Sequence, residues 1–142
     1  MQIEIATRAD EELYEAFQRL VPQMTQNNPP PTREYLSTLI NDPSSTLLLA
    51  RADGGSIIGA LNLTVYRVPT GVRSIIEDVI VDISARGQGV GEAIMQRAIQ
   101  VAREKGAQKI ALSSNPMRVA ANSLYIKLGF KKRDTNAYLL ML

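Results

Sequence analysis

Hydrophobic and polar positions recur with two different periods along this chain, and the change of period predicts its elements. Apolar residues spaced three or four apart predict amphipathic helices, whereas short alternating or continuous apolar runs bounded by turn residues predict strands. Strands are predicted on this basis at residues 2–6, 46–52, 57–68, 72–83, 108–113 and 136–142. Helices are predicted at 11–24 after an Asp10 cap, 33–41 after a Thr32 cap, 89–105 and 118–128.

Turn residues between these segments indicate how they connect. Asp53-Gly54-Gly55 is typical of a hairpin between two strands. The prolines at 29–31 end the first helix, because proline has no amide hydrogen to donate. Hairpin-connected strands therefore come first, and strand and helix alternate afterwards. No linker interrupts this order, so residues 1–142 are predicted to form a single α/β domain with a mixed, mostly antiparallel sheet.

Composition restricts the chemistry more than it restricts the fold. The 142 residues include no cysteine, no histidine and no tryptophan. A disulfide, a thiolate nucleophile, a Ser-His-Asp triad and a metal site built on cysteine or histidine are therefore excluded. We expect no metal. Any catalysis must use carboxylates, tyrosine, hydroxyls, lysine, water or backbone amides.

Sixteen basic and fourteen acidic residues give a net charge of +2, which does not require a polyanionic partner. One short basic run lies beside Phe130, formed by Lys127, Lys131, Lys132 and Arg133. Because that run is short and aromatic residues are only 5% of the chain, we expect no nucleic-acid partner. Residues 1–10 do not resemble a signal peptide, and no apolar stretch reaches the roughly 18–20 residues of a membrane span. We therefore expect no membrane association and a cytoplasmic location.

A glycine-rich segment links the strand at 72–83 to the helix that follows it. Residues 86–91 read Arg-Gly-Gln-Gly-Val-Gly. Glycine lets backbone amides approach a ligand closely, and a helix N-terminus presents unpaired amides at the positive end of its dipole. Together with the charge of Arg86, they predict a cradle for a pyrophosphate. The spacing matches neither the dinucleotide motif nor the P-loop, and a turn of this kind can also serve backbone geometry alone.

Two motifs resemble the GNAT superfamily of N-acetyltransferases. Arg86-Gly87-Gln88-Gly89-Val90-Gly91 is similar to that family's R-x-x-G-x-G/A pyrophosphate loop, and residues 121–130 (ANSLYIKLGF) are similar to its A-x-x-L-Y-x-x-x-G-F segment. The resemblance covers nearly the whole chain in element order and is specific from about residue 72 onward. The stretch Ile76-Glu77-Asp78 resembles the glucosamine-6-phosphate acetyltransferase branch in particular.

This resemblance implies a sheet with a splayed parallel pair of strands, flanked by about four helices, and acetyl-CoA bound in the splay as cosubstrate. Backbone groups facing the pantetheine and the acetyl carbonyl would come from Val79, Ile80 and Val81. The pyrophosphate would be held by the amides of Arg86, Gly87, Gln88, Gly89, Val90, Gly91 and Glu92. A bulge is expected within residues 77–83, because bulges commonly re-aim a strand beside a site.

Direct acetyl transfer to an amine needs a base, an acid and an oxyanion donor, but no protein nucleophile. Glu77 is the candidate base, acting through water, because strict alternation would place it on an apolar side of its strand. A salt bridge from Glu77 to Arg73 or Arg51 is the structural alternative. Asp78 is a lesser candidate base, on the opposite face by the same alternation.

Tyr125 is the candidate acid, since the resemblance places it at the family tyrosine that faces the sulfur of CoA. The alternative is a half-buried aromatic side chain on an amphipathic helix. One departure from the family concerns the asparagine that many members carry seven residues before the tyrosine. That position is Arg118 here, and neither Asn115 nor Asn122 can be assigned the missing contact.

The sequence therefore predicts an acetyl-CoA-dependent N-acetyltransferase that acts on a primary amine of a small molecule or peptide. The alternative is a non-catalytic acyl-CoA-binding sensor on the same fold. The acceptor amine is not identified by the sequence, because loops on a fixed scaffold vary freely. A homodimer is an expectation from the resemblance alone.

Overall fold

Five strands form one sheet, and their order across the sheet is their order along the chain. The computed structural model describes residues 1–142. The strands are β1 Gln2–Ile5, β2 Ser45–Arg51, β3 Ile57–Val68, β4 Gly71–Val81 and β5 Ile110–Ala111. Strands β1 to β4 are antiparallel neighbours, whereas β4 and β5 run parallel. The predicted mixed and mostly antiparallel sheet is confirmed.

Four α-helices and one short 3-10 turn complete the fold. The helices are α1 Glu11–Met24, α2 Arg33–Asn41, α3 Val90–Glu104 and α4 Val119–Lys127, and the 3-10 turn is Ile83–Ala85. Both predicted caps are confirmed. Asp10 accepts a hydrogen bond from the Leu13 amide (3.0 Å), and Thr32 accepts one from the Tyr35 amide (3.1 Å). None of the helices is both long and apolar enough to cross a membrane.

The sheet is buried on both faces, and each face has its own hydrophobic core. Strand β2 shows this best, because its alternate residues enter opposite cores. Leu48 and Ala50 pack with helix α3, whereas Leu47 and Leu49 pack with α1 and α2. The sheet is therefore the middle of three layers.

Two predictions fail near the C-terminus. The strand predicted at 108–113 is reduced to Ile110–Ala111, and the strand predicted at 136–142 is absent, since residues 130–142 have no regular structure. An extended segment becomes a strand only when a neighbouring strand supplies hydrogen bonds. Within the single chain nothing pairs with residues 136–142, so their apolar pattern alone does not produce a strand.

Candidate functional site

Strand β4 contains a bulge, as expected from the sequence. Ala60 of β3 lies opposite Ile80, and Asn62 lies opposite Glu77, so two steps along β3 match three along β4. Asp78, inside the bulge, has a φ angle of +54°. Strict alternation would place residues 76 and 80 on one face, yet Ile76 packs in the α3 core and Ile80 in the α1–α2 core. Beyond the bulge, the side chains of β4 therefore point to the faces opposite to those that strict alternation predicts.

Strand β5 accompanies β4 for only a short distance. The two strands pair at Ser74–Ile110 and Ile75–Ala111, so β4 has no strand neighbour on that side from Ile76 onward. A cavity of about 590 Å³ is bounded by the open part of β4, the connection to α3, helix α4 and the end of α1. This volume lies within the range typical of small-molecule sites, roughly 300–1,000 Å³. The predicted splayed parallel pair is thus present, with a cavity at the splay.

The cavity brings together most of the residues singled out from the sequence. Tyr125 lines it, as do Val79, Ile80, Val81, Arg86, Gly87, Gly89, Val90, Gly91 and Glu92. Gln88 does not line it, and its side-chain amide instead donates to the Ser84 carbonyl (3.3 Å). Glu77 is also outside the lining.

Two arginine side chains donate hydrogen bonds to backbone carbonyls in the part of β4 that has no strand beside it. The Arg118 guanidinium donates to the Val79 carbonyl, and the Arg86 guanidinium donates to the Val81 carbonyl, each at 3.1 Å. These carbonyls accept side-chain donors because no strand lies beside them. Arg118 thereby spans the cavity from the start of α4 to β4.

The connection between β4 and α3 leaves backbone amides unpaired at the cavity. Gly87 and Gly89 have φ angles of +74° and +81°, a conformation that favours glycine. Gly89 is also the N-cap of α3, and no side chain caps this helix end. The first amides of a helix have no partner within the helix. Those of Val90 to Glu92 therefore form an uncapped, positive helix terminus at the cavity wall.

Gly91 has a packing role in addition to its place at the cavity. A Cβ atom added there would lie 3.3 Å from the Leu124 side chain, so glycine lets α3 approach α4 closely. The Lys127 ammonium binds the Glu92 carboxylate (2.8 Å) and joins the same two helices. The third glycine of the turn thus serves helix packing, one of the structural roles that sequence alone leaves open.

Tyr125 is a buried residue of the cavity wall, with 5% of its surface exposed. Its ring contacts Phe130 edge-on, with 6.1 Å between centroids, and the Phe130 amide donates to the Tyr125 carbonyl (3.0 Å). Burial raises the pKa of the Tyr125 hydroxyl above its usual value of 10, and the nearby charge of Arg118 partly opposes that rise. Tyr125 is therefore a neutral phenol at physiological pH.

Glu77 lies just before the bulge and is exposed to solvent. The expectation that it would be stripped of water on an apolar side of the strand is therefore wrong. Its partner across the strands is Asn62, so the two side chains share the face opposite Ile76. The Asn62 side-chain oxygen is buried without a hydrogen-bond partner, while its nitrogen donates to Thr64 (3.1 Å). An exposed carboxylate and an unpaired amide oxygen therefore occur side by side.

The salt bridge considered for Glu77 is also absent, because both arginines have other partners. Arg51 pairs with Glu4 and Glu12, each at 2.6 Å. Arg73 donates to Gln108 (2.6 Å) and to the Thr70 hydroxyl (2.9 Å). Glu77 is thus left without an ion pair.

Sequence reasoning missed the reach of Arg118 to β4. A usable signal was present, because Arg118 and Tyr125 are seven residues apart, two helical turns, and so lie on one side of α4. The neighbouring asparagines have a structural role instead. The Asn122 side chain donates to the carbonyls of Asn115 (2.9 Å) and Arg118 (2.8 Å), which secures the start of α4.

Comparisons with known proteins agree with this geometry. Residues 10–130 match the sequence model described as the Acetyltransferase (GNAT) family. N-acetyltransferase 8B of Rattus norvegicus is 30% identical over 103 residues, covering 71% of this chain and 44% of the relative. Glucosamine 6-phosphate N-acetyltransferase of Trypanosoma brucei brucei is 35% identical over 83 residues, covering 56% of this chain and 54% of the relative. The chain thus spans about half the length of these relatives.

A solved structure shows the same fold over the whole chain. The aminoglycoside acetyltransferase from an uncultured soil metagenomic sample, crystallised with trehalose, has a TM-score of 0.83 to this chain. The match covers 99% of this chain and 96% of the other at 20% identity. At that identity the likeness concerns the fold.

Proposed function

Because this chain belongs to the GNAT acetyltransferase family, we propose that it transfers an acetyl group from acetyl-CoA directly to a primary amine of a small molecule or peptide. The observation that carries the proposal is the cavity at the splay of β4 and β5, where Tyr125 and the uncapped start of α3 meet. Family membership supports acetyl transfer in general. The cosubstrate, the amine acceptor and the residue roles are the content of the proposal.

The groups around the cavity suit a pyrophosphate at one end. Arg86 and the amides of residues 90–92 offer positive charge and donors. A Cβ atom added at Gly87 or Gly89 would meet nothing within 4 Å, so the backbone there is open to an approaching phosphate. The chemistry of this donor set therefore fits the diphosphate part of CoA.

The open half of β4 suits the amide-containing arm of the same molecule. An extended arm beside β4 needs acceptors for its N–H groups, and the Val79 and Val81 carbonyls are such acceptors. Both accept hydrogen bonds from arginine side chains. We propose that Arg86 releases Val81 and turns toward phosphate, and that Arg118 releases Val79. Acetyl-CoA, when bound, supplies the activated acetyl thioester.

Tyr125 is proposed to donate a hydrogen bond, and then a proton, to the departing sulfur. A free thiol has a pKa of about 8.5 and a tyrosine about 10, so full transfer from Tyr125 to a thiolate is uphill. Burial raises the tyrosine pKa and increases that difference, whereas the charge of Arg118 reduces it. Hydrogen bonding to the developing negative charge is therefore the larger contribution that Tyr125 can make.

Glu77 is proposed to accept the proton of the amine through a water molecule. Glu77 is exposed and lies outside the cavity lining, so its carboxylate would act through a water molecule rather than by direct contact with the amine. The Glu77 carboxylate lies on the solvent-exposed side of its cross-strand pair with Asn62, so a water molecule can reach it. Asp78, or solvent water without a carboxylate, is the alternative base.

The experiment that tests the function is a CoA-release assay with a panel of amines. The panel includes amino sugars and their phosphates, polyamines, amino acids, aminoglycosides and peptides with free N-termini. We expect turnover of at least one class. Saturable acetyl-CoA binding with no turnover on the whole panel would support the sensor alternative instead.

The residue roles are tested with the best acceptor found. Tyr125→Phe removes the proton donor and should lower kcat at least about a hundredfold, and Glu77→Gln should lower it roughly tenfold or more. The matched controls are Tyr35→Phe and Glu15→Gln, which change exposed residues of α2 and α1. A kcat in Tyr125→Phe equal to that of its control would show that the assigned acid is wrong.

A further inference from the structure

Two side chains of helix α1 reach the segment that leads from β4 into the glycine turn, residues 86–91. Arg19 and Gln23 are four residues apart, so they lie on the same side of α1. The Arg19 guanidinium donates to the Asp82 carboxylate (3.1 Å). The Gln23 side-chain oxygen accepts a hydrogen bond from the Ile83 amide (2.9 Å). Helix α1 therefore holds two successive residues just before the glycine turn.

The same contacts connect α1 to the sheet. The Arg19 guanidinium also donates to the Ile57 carbonyl at the start of β3. The Asp82 amide donates to the Ile58 carbonyl (2.8 Å), so β3 holds the backbone of the residue whose side chain Arg19 holds. Arg19 thus joins three parts of the molecule, namely α1, the start of β3 and the residue that follows β4.

Asp82 carries a buried negative charge close to the proposed site of an anionic ligand. It is 9% exposed and follows Val81, which lines the cavity. Hydrogen bonds from Ser84 and the charge of Arg19 lower the pKa of Asp82, so its carboxyl is ionised at neutral pH. An unpaired carboxylate at this place would repel a phosphate, and the charge of Arg19 offsets that repulsion.

The remaining hydrogen bonds of the turn fix its internal shape but not its orientation. Apart from the Gln23 contact, every hydrogen bond of residues 83–89 joins residues at most five positions apart. The side chain of Ala85 packs in the α3 core and anchors the turn on that side. On the α1 side the anchors are Arg19 and Gln23. Glycine residues in the turn make such anchors necessary, because glycine loses more conformational freedom on folding than any other residue.

We propose that Arg19 and Gln23 are positioning residues, which hold the glycine turn in the orientation that binds the pyrophosphate of the cosubstrate. Arg19 does not line the cavity, and the Gln23 oxygen that could reach a ligand is engaged by Ile83. Both therefore act through the turn. A turn held in its binding orientation loses less conformational entropy when the ligand binds. This inference rests on the proposed use of acetyl-CoA.

The first test is the affinity of the purified protein for acetyl-CoA, measured by isothermal titration calorimetry. Gln23→Met keeps the length of the side chain and removes the acceptor, so the dissociation constant should rise roughly fivefold, the effect typical of one hydrogen bond. Arg19→Met should raise it further, because it also leaves Asp82 unpaired. Arg19→Lys keeps the charge and should recover part of the affinity. Gln18→Met makes the same change at an exposed position of α1 and should bind as the wild type does.

The second test separates positioning from a general loss of structure. With the best acceptor found, Gln23→Met should raise the KM for acetyl-CoA and leave kcat at saturation unchanged, as expected when only binding is lost. In hydrogen–deuterium exchange without ligand, amides of 83–89 should exchange faster in Gln23→Met than in the wild type. Amides of β2 should exchange equally in both. Saturating acetyl-CoA should restore the protection of 83–89.

The outcomes distinguish this inference from the function on which it rests. A wild type that does not bind acetyl-CoA would overturn the proposed function and this inference with it. A wild type that binds, together with Gln23→Met and Arg19→Met of equal affinity, would overturn the positioning role alone. So would unchanged exchange of 83–89 in Gln23→Met, or a lower kcat with an unchanged KM. Circular dichroism checks that the variants fold, and Gln23→Met with Arg19→Lys serves if Arg19→Met does not.

Discussion

The two halves of strand β4 differ in what lies beside them. The paired half, Gly71–Ile76, has β3 on one side throughout and β5 on the other side at Ser74 and Ile75. The open half, Glu77–Val81, has β3 on one side only and arginine side chains on the other. One strand therefore packs in the hydrophobic cores along its whole length and lines the cavity only at its end.

The difference arises from two local features. Strand β5 is only two residues long, so its hydrogen bonds stop at Ile75. The bulge at Asp78 then reverses which residues face each core. A strand half paired on both sides contributes stability, whereas a half whose carbonyls accept only side-chain donors can exchange those donors for a ligand. We expect substitutions to separate these two roles.

The largest expected effect on stability is in the paired half. Ile76 is 2% exposed, so Ile76→Ala should lower the free energy of unfolding by about 3 kcal/mol, through lost burial and a residual cavity. Urea denaturation measures this loss. Ile75→Ala, at a half-buried neighbour, should cost clearly less. Equal losses at the two positions would show that burial does not distinguish them.

The next largest loss of stability is expected just after the open half, where Asp82 caps the start of the 3-10 turn. The Ser84 amide (3.0 Å), the Ser84 hydroxyl and Arg19 (3.1 Å) hold the pKa of Asp82 below its usual value of 3.8. Asp82→Ala removes these bonds and should cost about 2 kcal/mol at pH 7.

This contribution depends on pH with a defined sign. A carboxyl whose pKa is lowered by folding stabilises the protein above its unfolded pKa and loses that effect as pH falls through the folded value. The difference between wild type and Asp82→Ala should therefore be constant at neutral pH and shrink below about pH 4. Urea titrations at neutral and acidic pH measure it, and a difference that grows on acidification would contradict the assignment.

A smaller effect is expected at the bulge. Asp78 has a positive φ, which a β-branched residue adopts only with strain, so Asp78→Val should cost about 1 kcal/mol. Asp78→Gly is the matched control, because glycine accepts this conformation freely. The two variants differ in backbone preference while both lack the carboxylate. Reduced stability in Asp78→Val but not in Asp78→Gly would show that the loss comes from backbone strain. A lower kcat in both variants would favour Asp78 as the base.

The smallest effect on stability is expected at Arg118, which bridges the open half to α4. Arg118→Ala should change the free energy of unfolding by less than about 0.5 kcal/mol, because the side chain is exposed. The KM for acetyl-CoA should nonetheless rise roughly fivefold, about 1 kcal/mol of binding, since a cation is lost from the site of an anionic ligand. Steady-state kinetics measure it, with Arg118→Lys as the charge-conserving control. An unchanged KM would mean that Arg118 does not face the cosubstrate.

The sequence by itself determined the features that depend on nearby residues. The caps at Asp10 and Thr32, the hairpin after Arg51, the glycine turn and the spacing from Tyr125 to Phe130 all follow from short-range backbone chemistry. Each needs only a few neighbouring residues, so its pattern is visible in the chain. The family was also recognisable from these motifs, and the match over residues 10–130 confirms it.

Only the tertiary structure decided which side chains meet. The environment of Glu77 depends on a bulge and on the partners of distant arginines, and the reach of Arg118 to Val79 depends on how α4 packs against an unpaired strand. The strand predicted at 136–142 failed for the same reason. The apolar pattern of this segment indicates that its side chains favour burial. A strand also requires a neighbouring strand that supplies hydrogen bonds, and no local pattern specifies that neighbour.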